Sequence, residues 1–314
     1  INDQLQNSHT VNFNFEHKID SLTRLEVVAN ATQRNEFLEN EKLTEFFTPA
    51  GLLSNQTKVN NTSEARGLDA NTNIKLVRNF KTRNMKLIAE YQYGYSENDR
   101  ENFLLSEISN FILPIPDSTF DQRRDISNKT IGHRGIIDYT EPLSRKLKIN
   151  VQYRADYFIG DQSNYTFDGV NGVYDQFAPQ FSNDFSTSRL ENRGGASLIY
   201  SGRKQTINAG TRVRNVRIDN LNNFTEELFV QNVNDVLPFL EYTYKFSNAH
   251  RFRFNYSTRS DQPSLNQLQP VRDNTNPNNL VVGNPDLVPN YVHSINGFYN
   301  KWNALEQSYV WASF

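Results

Sequence analysis

Five histidines (His9, His17, His133, His250 and His293) are the side chains best suited to acid–base or metal chemistry in this chain. They are scattered, and none pairs with another at a metal-ligand spacing. Cysteine is absent, which excludes disulfides and thiolate metal sites. There is no Gly-x-x-x-x-Gly-Lys phosphate loop, no His-Glu-x-x-His zinc motif and no Gly-x-Ser-x-Gly elbow. Asp168-Gly169-Val170-Asn171-Gly172 hints at a cation loop but fails the EF-hand spacing, so a plain turn is expected there. No enzyme activity and no cofactor are expected. The chemistry left is non-covalent. Lys148, Arg154 and Asp156, Arg189, Glu191 and Arg193, Arg212 and Arg214, and Arg251 and Arg253 lie in rows on polar faces. Aromatics such as Phe167 and Tyr174 lie in polar stretches. Arg154, Arg212, Arg251, Arg253, Phe167 and Tyr174 are the candidate ligand or lumen contacts. The alternatives are that the charged rows pair with carboxylates across strands and that the loop aromatics pack on each other.

These residues need a scaffold, and Leu237–Ser260 gives its unit. Pro238, Leu240, Tyr242, Tyr244 and Phe246 alternate with Leu237, Phe239, Glu241, Thr243 and Lys245. After Ser247-Asn248-Ala249-His250, Phe252, Phe254 and Tyr256 alternate with Arg251, Arg253, Asn255 and Ser257. Alternation at period two marks strands with one apolar and one wet face, joined by a hairpin turn. Six such hairpins are expected, turning near residues 20, 82, 144, 203, 248 and 303. Long polar loops, at residues 33–67 and 97–128 among others, are expected to join them. That rhythm has too few strands per repeat for a propeller and is too uneven for a sandwich. Short turns at one end and long loops at the other fit a transmembrane antiparallel up-and-down β-barrel. The strand entering each short turn ends in an aromatic: Phe15, Phe80, Tyr139, Tyr200, Phe246 and Tyr299. At one level these would form the aromatic girdle of a barrel wall; ordinary β-propensity is the competing explanation.

Bulk composition agrees. The 314 residues carry a net charge of −2, which gives no pull toward nucleic acid. No run of about 18 apolar residues is present, and only 37% of residues are hydrophobic. A barrel tolerates this because only alternate positions face lipid. The chain starts at Ile1 without a signal-peptide pattern, so either a signal was removed or Ile1 is internal to a longer protein.

Between the last two hairpins lie Arg259, Pro263-Ser264-Leu265, Leu268 and Pro270, then Gly283-Asn284-Pro285-Asp286-Leu287 and Pro289. This pattern resembles the barrel of TonB-dependent outer-membrane receptors, in particular the outer-membrane β-barrel group abundant in Bacteroidetes-type bacteria. Asn290 stands where that group usually has Glu. The prolines exclude the segment from a central ladder, so an ordered rim over the barrel mouth or into the lumen is expected. The resemblance implies a bacterial outer-membrane location, contact with outer-membrane lipid, a plug domain and the TonB energy-transducing complex. It also implies uptake of a siderophore, haem, peptide or glycan. Such barrels have about 22 strands, so residues 1–314, with about 12, are expected to be one partial barrel region without a plug. A complete 12-stranded barrel ending at Phe314 is the opposing expectation. A non-transporting binding or assembly scaffold and a soluble all-β adhesion domain are the alternative functions.

Overall fold

The computed structural model describes residues 2–82, 85–112, 116–263, 267, 272–273, 281–284, 287–303 and 307–314. Its strands are β1 (Asn2–Lys18), β2 (Thr23–Phe47), β3 (Leu53–Asn79), β4 (Lys86–Asn110), β5 (Ser118–Pro142), β6 (Leu147–Val170), β7 (Val173–Phe177), β8 (Asn183–Ser201), β9 (Gln205–Asn222), β10 (Leu228–Ser247), β11 (His250–Asp261), β12 (Arg272–Asp273), β13 (Val281–Val282), β14 (Asn290–Asn303) and β15 (Ser308–Ser313). One antiparallel sheet runs in the order β1-β2-β3-β4-β5-β6-β8-β9-β10-β11-β14-β15, with β7 added to β6. This is the up-and-down order expected of the six hairpins. The sheet is open: among the described residues β1 and β15 each pair on one side only. Among the described residues no helix is long and apolar enough to cross a membrane.

The pairing register sorts every strand into two faces. In β6, Val151, Tyr153, Tyr157 and Ile159 point one way and are 38–48% exposed. Phe13, Ile74, Ile137, Leu198 and Val213 share that face through the ladders, and each is also exposed. The opposite face holds most of the buried residues, and many of them are polar. Thr57, Gln122, Thr166, Thr187, Glu191 and Arg214 lie there beside Phe185, Val216 and Leu237. A water-soluble sandwich would bury the apolar rows. Here they face outward and the polar rows face in, as a membrane barrel requires.

The short turns are set by local chemistry. Asp20 accepts hydrogen bonds from the Leu22 and Thr23 amides at 2.7 and 2.9 Å and from Arg78 Nη1 at 2.7 Å. Ser144 Oγ accepts from the Lys146 and Leu147 amides at 3.2 and 3.1 Å. Asx and Ser turns of this kind close hairpins without a long loop. Trp302 and Asn303, near which the last turn is expected, both belong to β14, and β15 begins at Ser308.

The other end departs from expectation. Residues 33–67 and 97–128 are not long loops. They are the upper parts of β2–β5, which run 25–27 residues each. Only five residues join β2 to β3 (Thr48–Leu52), and five join β9 to β10 (Asn223–Glu227). At about 3.3 Å per residue such strands reach roughly 80–90 Å, whereas about 9–11 tilted residues cross the hydrocarbon core. Above the bilayer both faces carry polar residues, exposed on the outward side and, as at Thr57, Gln122 and Thr166, buried on the inward side. The alternation therefore stops while the backbone ladder continues, so the segment reads as loop.

Candidate lumenal binding site

The inward face carries the charged rows. Directly across the ladders, Arg154 of β6 opposes Arg193 of β8, which opposes Arg214 of β9, which opposes Asp235 of β10. One step higher, Arg134 of β5 opposes Asp156, and Asp156 opposes Glu191. Three arginines in one lateral row repel each other, a destabilising arrangement unless carboxylates are interleaved. They are. Asp156 accepts from Arg134 Nε and, at 2.5 Å, from Arg154 Nε. Glu191, with 3% of its side chain exposed, accepts from Arg189 Nη2 and, at 2.6 Å, from Arg193 Nη2. Arg214 bonds Asp235 through Nε and Nη2 at 3.0 and 2.5 Å. It also donates Nη1 to the Ser260 carbonyl at 3.1 Å, holding the chain where it leaves β11.

A cavity of about 580 Å³ opens on this wall. Arg134, Arg154 and Arg189 line it with Gln92, and Gln262 and Pro263 close it from the segment after β11. Its floor is bare because Gly94 opposes Gly132 across β4 and β5, and Gly132 has open space above its Cα. Arg212 lies in a neighbouring cavity of about 220 Å³, its guanidinium 4.3 Å from the centre of the Phe239 ring. It needs Gly195 opposite, where a Cβ would come 2.7 Å from Arg212 Cγ. Arg251 and Arg253 are on the inward face too, paired in the ladder with Lys245 and Thr243, away from the 580 Å³ cavity.

Phe167 and Tyr174 are not in the lumen. Both lie on the outward face of the extended rim, because Phe167 shares parity with Tyr153 on β6 and β7 folds back on that edge. Asn171 and Gly172, at φ 53° and 76°, make the two-residue turn that Asn-Gly favours, so Asp168–Val170 end β6 and Asn171-Gly172 turn the chain into β7. The Tyr174 ring sits where a Gly169 Cβ would be, donates its hydroxyl to Asp121 at 2.9 Å and packs on Phe103 at 5.4 Å. Burial, with Asp121, raises the Tyr174 pKa. Phe167 packs on Phe177 at 5.8 Å with Arg123 5.0 Å from its ring. Aromatic packing on a wet outer wall, which no alternation announces, explains their place.

The rim motif is placed in part. Pro263 lines the cavity, Arg259 donates Nε to both Asp261 oxygens at 3.0 Å, and the Asn284 amide donates to the Gln267 carbonyl at 2.6 Å. Gly283 follows β13, and Leu287 and Pro289 lead into β14. Leu268, Pro270 and Pro285 lie outside the described residues. Phe15, Phe80, Tyr139, Tyr200, Phe246 and Tyr299 all share outward parity near the short turns. Phe246 stacks on His250 at 4.0 Å, and His250 meets Tyr299 edge-on at 5.0 Å. Arg134, Gln92 and Gln262 were not singled out by the sequence. Counting parity back from Ile137 would have put Arg134 inward. Gln262 had no such signal. Among the described residues, no group of three or more His, Asp or Glu is arranged to hold a metal ion.

Comparison with known proteins agrees with this geometry. The model of the outer membrane protein beta-barrel family matches residues 78–311. The chain belongs to that family. It is a protein of the bacterial outer membrane. Solved chains similar to it include FpvAI in its complex with pyocin S2 (TM-score 0.50, 12% identity, covering 99% of this chain and 48% of that one). FpvA of P. aeruginosa bound to heterologous pyoverdines gives TM-score 0.49 at 10% identity, covering 99% and 47%. The alcaligin outer membrane receptor FauA from Bordetella pertussis gives 0.46 at 12%, covering 99% and 50%. The first of these likenesses is one of fold. This chain spans about half the length of each of the three. No curated protein sequence matches it.

Proposed function

We propose that this barrel region belongs to a receptor that binds a scarce nutrient at its extracellular side and admits it through the lumen. By this reading a plug segment occupies the barrel and an energised inner-membrane partner of the TonB type moves it. Gating by conformational change is the mechanism, and no covalent chemistry takes part. The observation that carries the reading is the polar, arginine-rich inward wall with a ligand-sized cavity, set in a family of outer-membrane barrels. The open sheet adds to it. Unpaired strand edges cannot face hydrocarbon, so in this reading further strands complete the wall. Receptors of this fold, about twice as long, are a natural source for them.

The test is uptake by cells that carry or lack the gene, grown on limiting iron, haem, peptide or glycan, with and without the proton-motive force. Gene- and energy-dependent accumulation of one nutrient supports the receptor. Equal growth on every nutrient, with the protein retained in complexes with surface proteins, would favour a scaffold.

A further inference from the structure

The cavity at Gly94 and Gly132 is built to receive charge of one sign. Each carboxylate beside it holds two guanidiniums: Asp156 takes Arg134 and Arg154, and Glu191 takes Arg189 and Arg193. A guanidinium has five N–H donors, and these pairings use only some of them. Arg189 Nε and Arg193 Nε are buried without a partner. Gln262, the residue that covers the cavity, has both its Oε1 and its Nε2 buried without partners. Buried polar atoms are normally satisfied, so the two of Gln262 and the Nε of Arg189, which lines the same cavity, call for a partner such as water or a bound ion. The arginines are held in fixed orientation by their carboxylates, and Arg134 also by Gln92, to whose Oε1 it donates Nη1 at 3.1 Å, while the donors of Arg154 and Arg189 outside these pairings are left for an incoming oxyanion. That geometry suits planar carboxylates and phosphates, which guanidinium recognises through paired N–H groups. The volume, about 580 Å³, falls in the range of small-molecule sites.

We propose that this cavity binds a small anionic ligand bearing carboxylate or phosphate groups, held by Arg134, Arg154 and Arg189 and covered by Gln262. The proposal rests on the lumen being the ligand's route. The three arginines that line the cavity outnumber its two lining carboxylates, Asp156 and Glu191, which leaves this part of the wall with net positive charge. Residues that break a local rule are expected where function requires them.

The full-length gene product, purified from outer membranes in detergent, is titrated by calorimetry with tricarballylate, with pyrophosphate and with neutral trehalose. At least one anion binds and trehalose does not, and binding weakens at high salt. The anion preferred tells whether the ligand carries carboxylate or phosphate. Arg154→Gln and Arg189→Gln each weaken binding about tenfold or more, the effect of losing one charge-assisted bond. Gly132→Trp fills the floor without changing charge and abolishes binding while heat-modifiable migration stays normal.

Two results overturn the proposal. In one, neither anion binds, and Arg154→Gln instead lowers thermal stability; the arginines then serve an acidic protein segment lying in the lumen. In the other, binding survives both Arg154→Gln and Gly132→Trp. The titration uses no cells. Intact anion binding without energy-dependent uptake would defeat the receptor and leave the site. Uptake of a nutrient without anion binding would do the reverse.

Discussion

Glu191 offers a quantitative test of how the inward wall is held. Its carboxylate is almost fully buried and accepts from Arg189 and Arg193, whose side chains are 40% and 26% exposed. Replacing it with Gln keeps shape and one acceptor but leaves two guanidiniums uncompensated, with Arg154 and Arg214 across the ladder from Arg193. Breaking a fully buried pair in this way costs about 3–5 kcal/mol. Lumenal water reaches both arginines, so the figure is discounted here to about 2 kcal/mol. The control is Asp261→Asn. Its pair with Arg259 is 50% and 62% exposed, and such pairs contribute about 0–1 kcal/mol. The assay is urea titration of protein refolded into lipid vesicles, followed by heat-modifiable migration. Glu191→Gln lowers the midpoint clearly, and Asp261→Asn leaves it nearly unchanged. Equal midpoints for both variants and wild type would refute the argument that carboxylates hold the arginine rows.

The same refolding assay tests the outward face: Ile137→Lys, at a position 54% exposed, costs about 2–4 kcal/mol in vesicles, while Gln152→Lys on the lumen side is tolerated. Gly210→Val forces a Cβ to within 2.4 Å of the Ala196 carbonyl oxygen and 2.8 Å of Ser197 Cα, so the β8–β9 ladder shifts and refolding yield drops. At the first short turn, the Leu22 amide, with Thr23 and Arg78, lowers the Asp20 pKa from 3.8 to about 2. A depressed carboxylate stabilises the fold above its unfolded pKa, and that contribution is lost as pH falls from about 4 toward 2. Hydrogen exchange at the Leu22 and Thr23 amides therefore speeds up over that window relative to neighbouring strand amides, and Asp20→Asn removes the pH dependence.

The sequence by itself determined the wall. Alternation at period two needs one wet and one dry side, and it was clean from Leu147 to Ile159 in β6 and weaker in β3 and the sixth hairpin. Six hairpins and their order, and the outward parity of the turn-end aromatics, followed from that pattern and from the short polar turns near residues 20, 144 and 248. The rim motif identified the family. The sequence did not reveal the strands above the bilayer, because polar residues on both faces remove the only periodic signal while the ladder persists. Residues 33–67 and 97–128 therefore looked like loops, and Phe167 and Tyr174 like loop aromatics available to a ligand or the lumen. Register was also out of reach. Each arginine row was legible along its own strand, but whether Arg154 meets Arg193 and Arg214, or a carboxylate, depends on which residues stand opposite across the ladder. A slip of one residue would turn all of them outward. Only the assembled sheet decides that, and only it brings Gln262, more than 100 residues away in sequence, over Arg154.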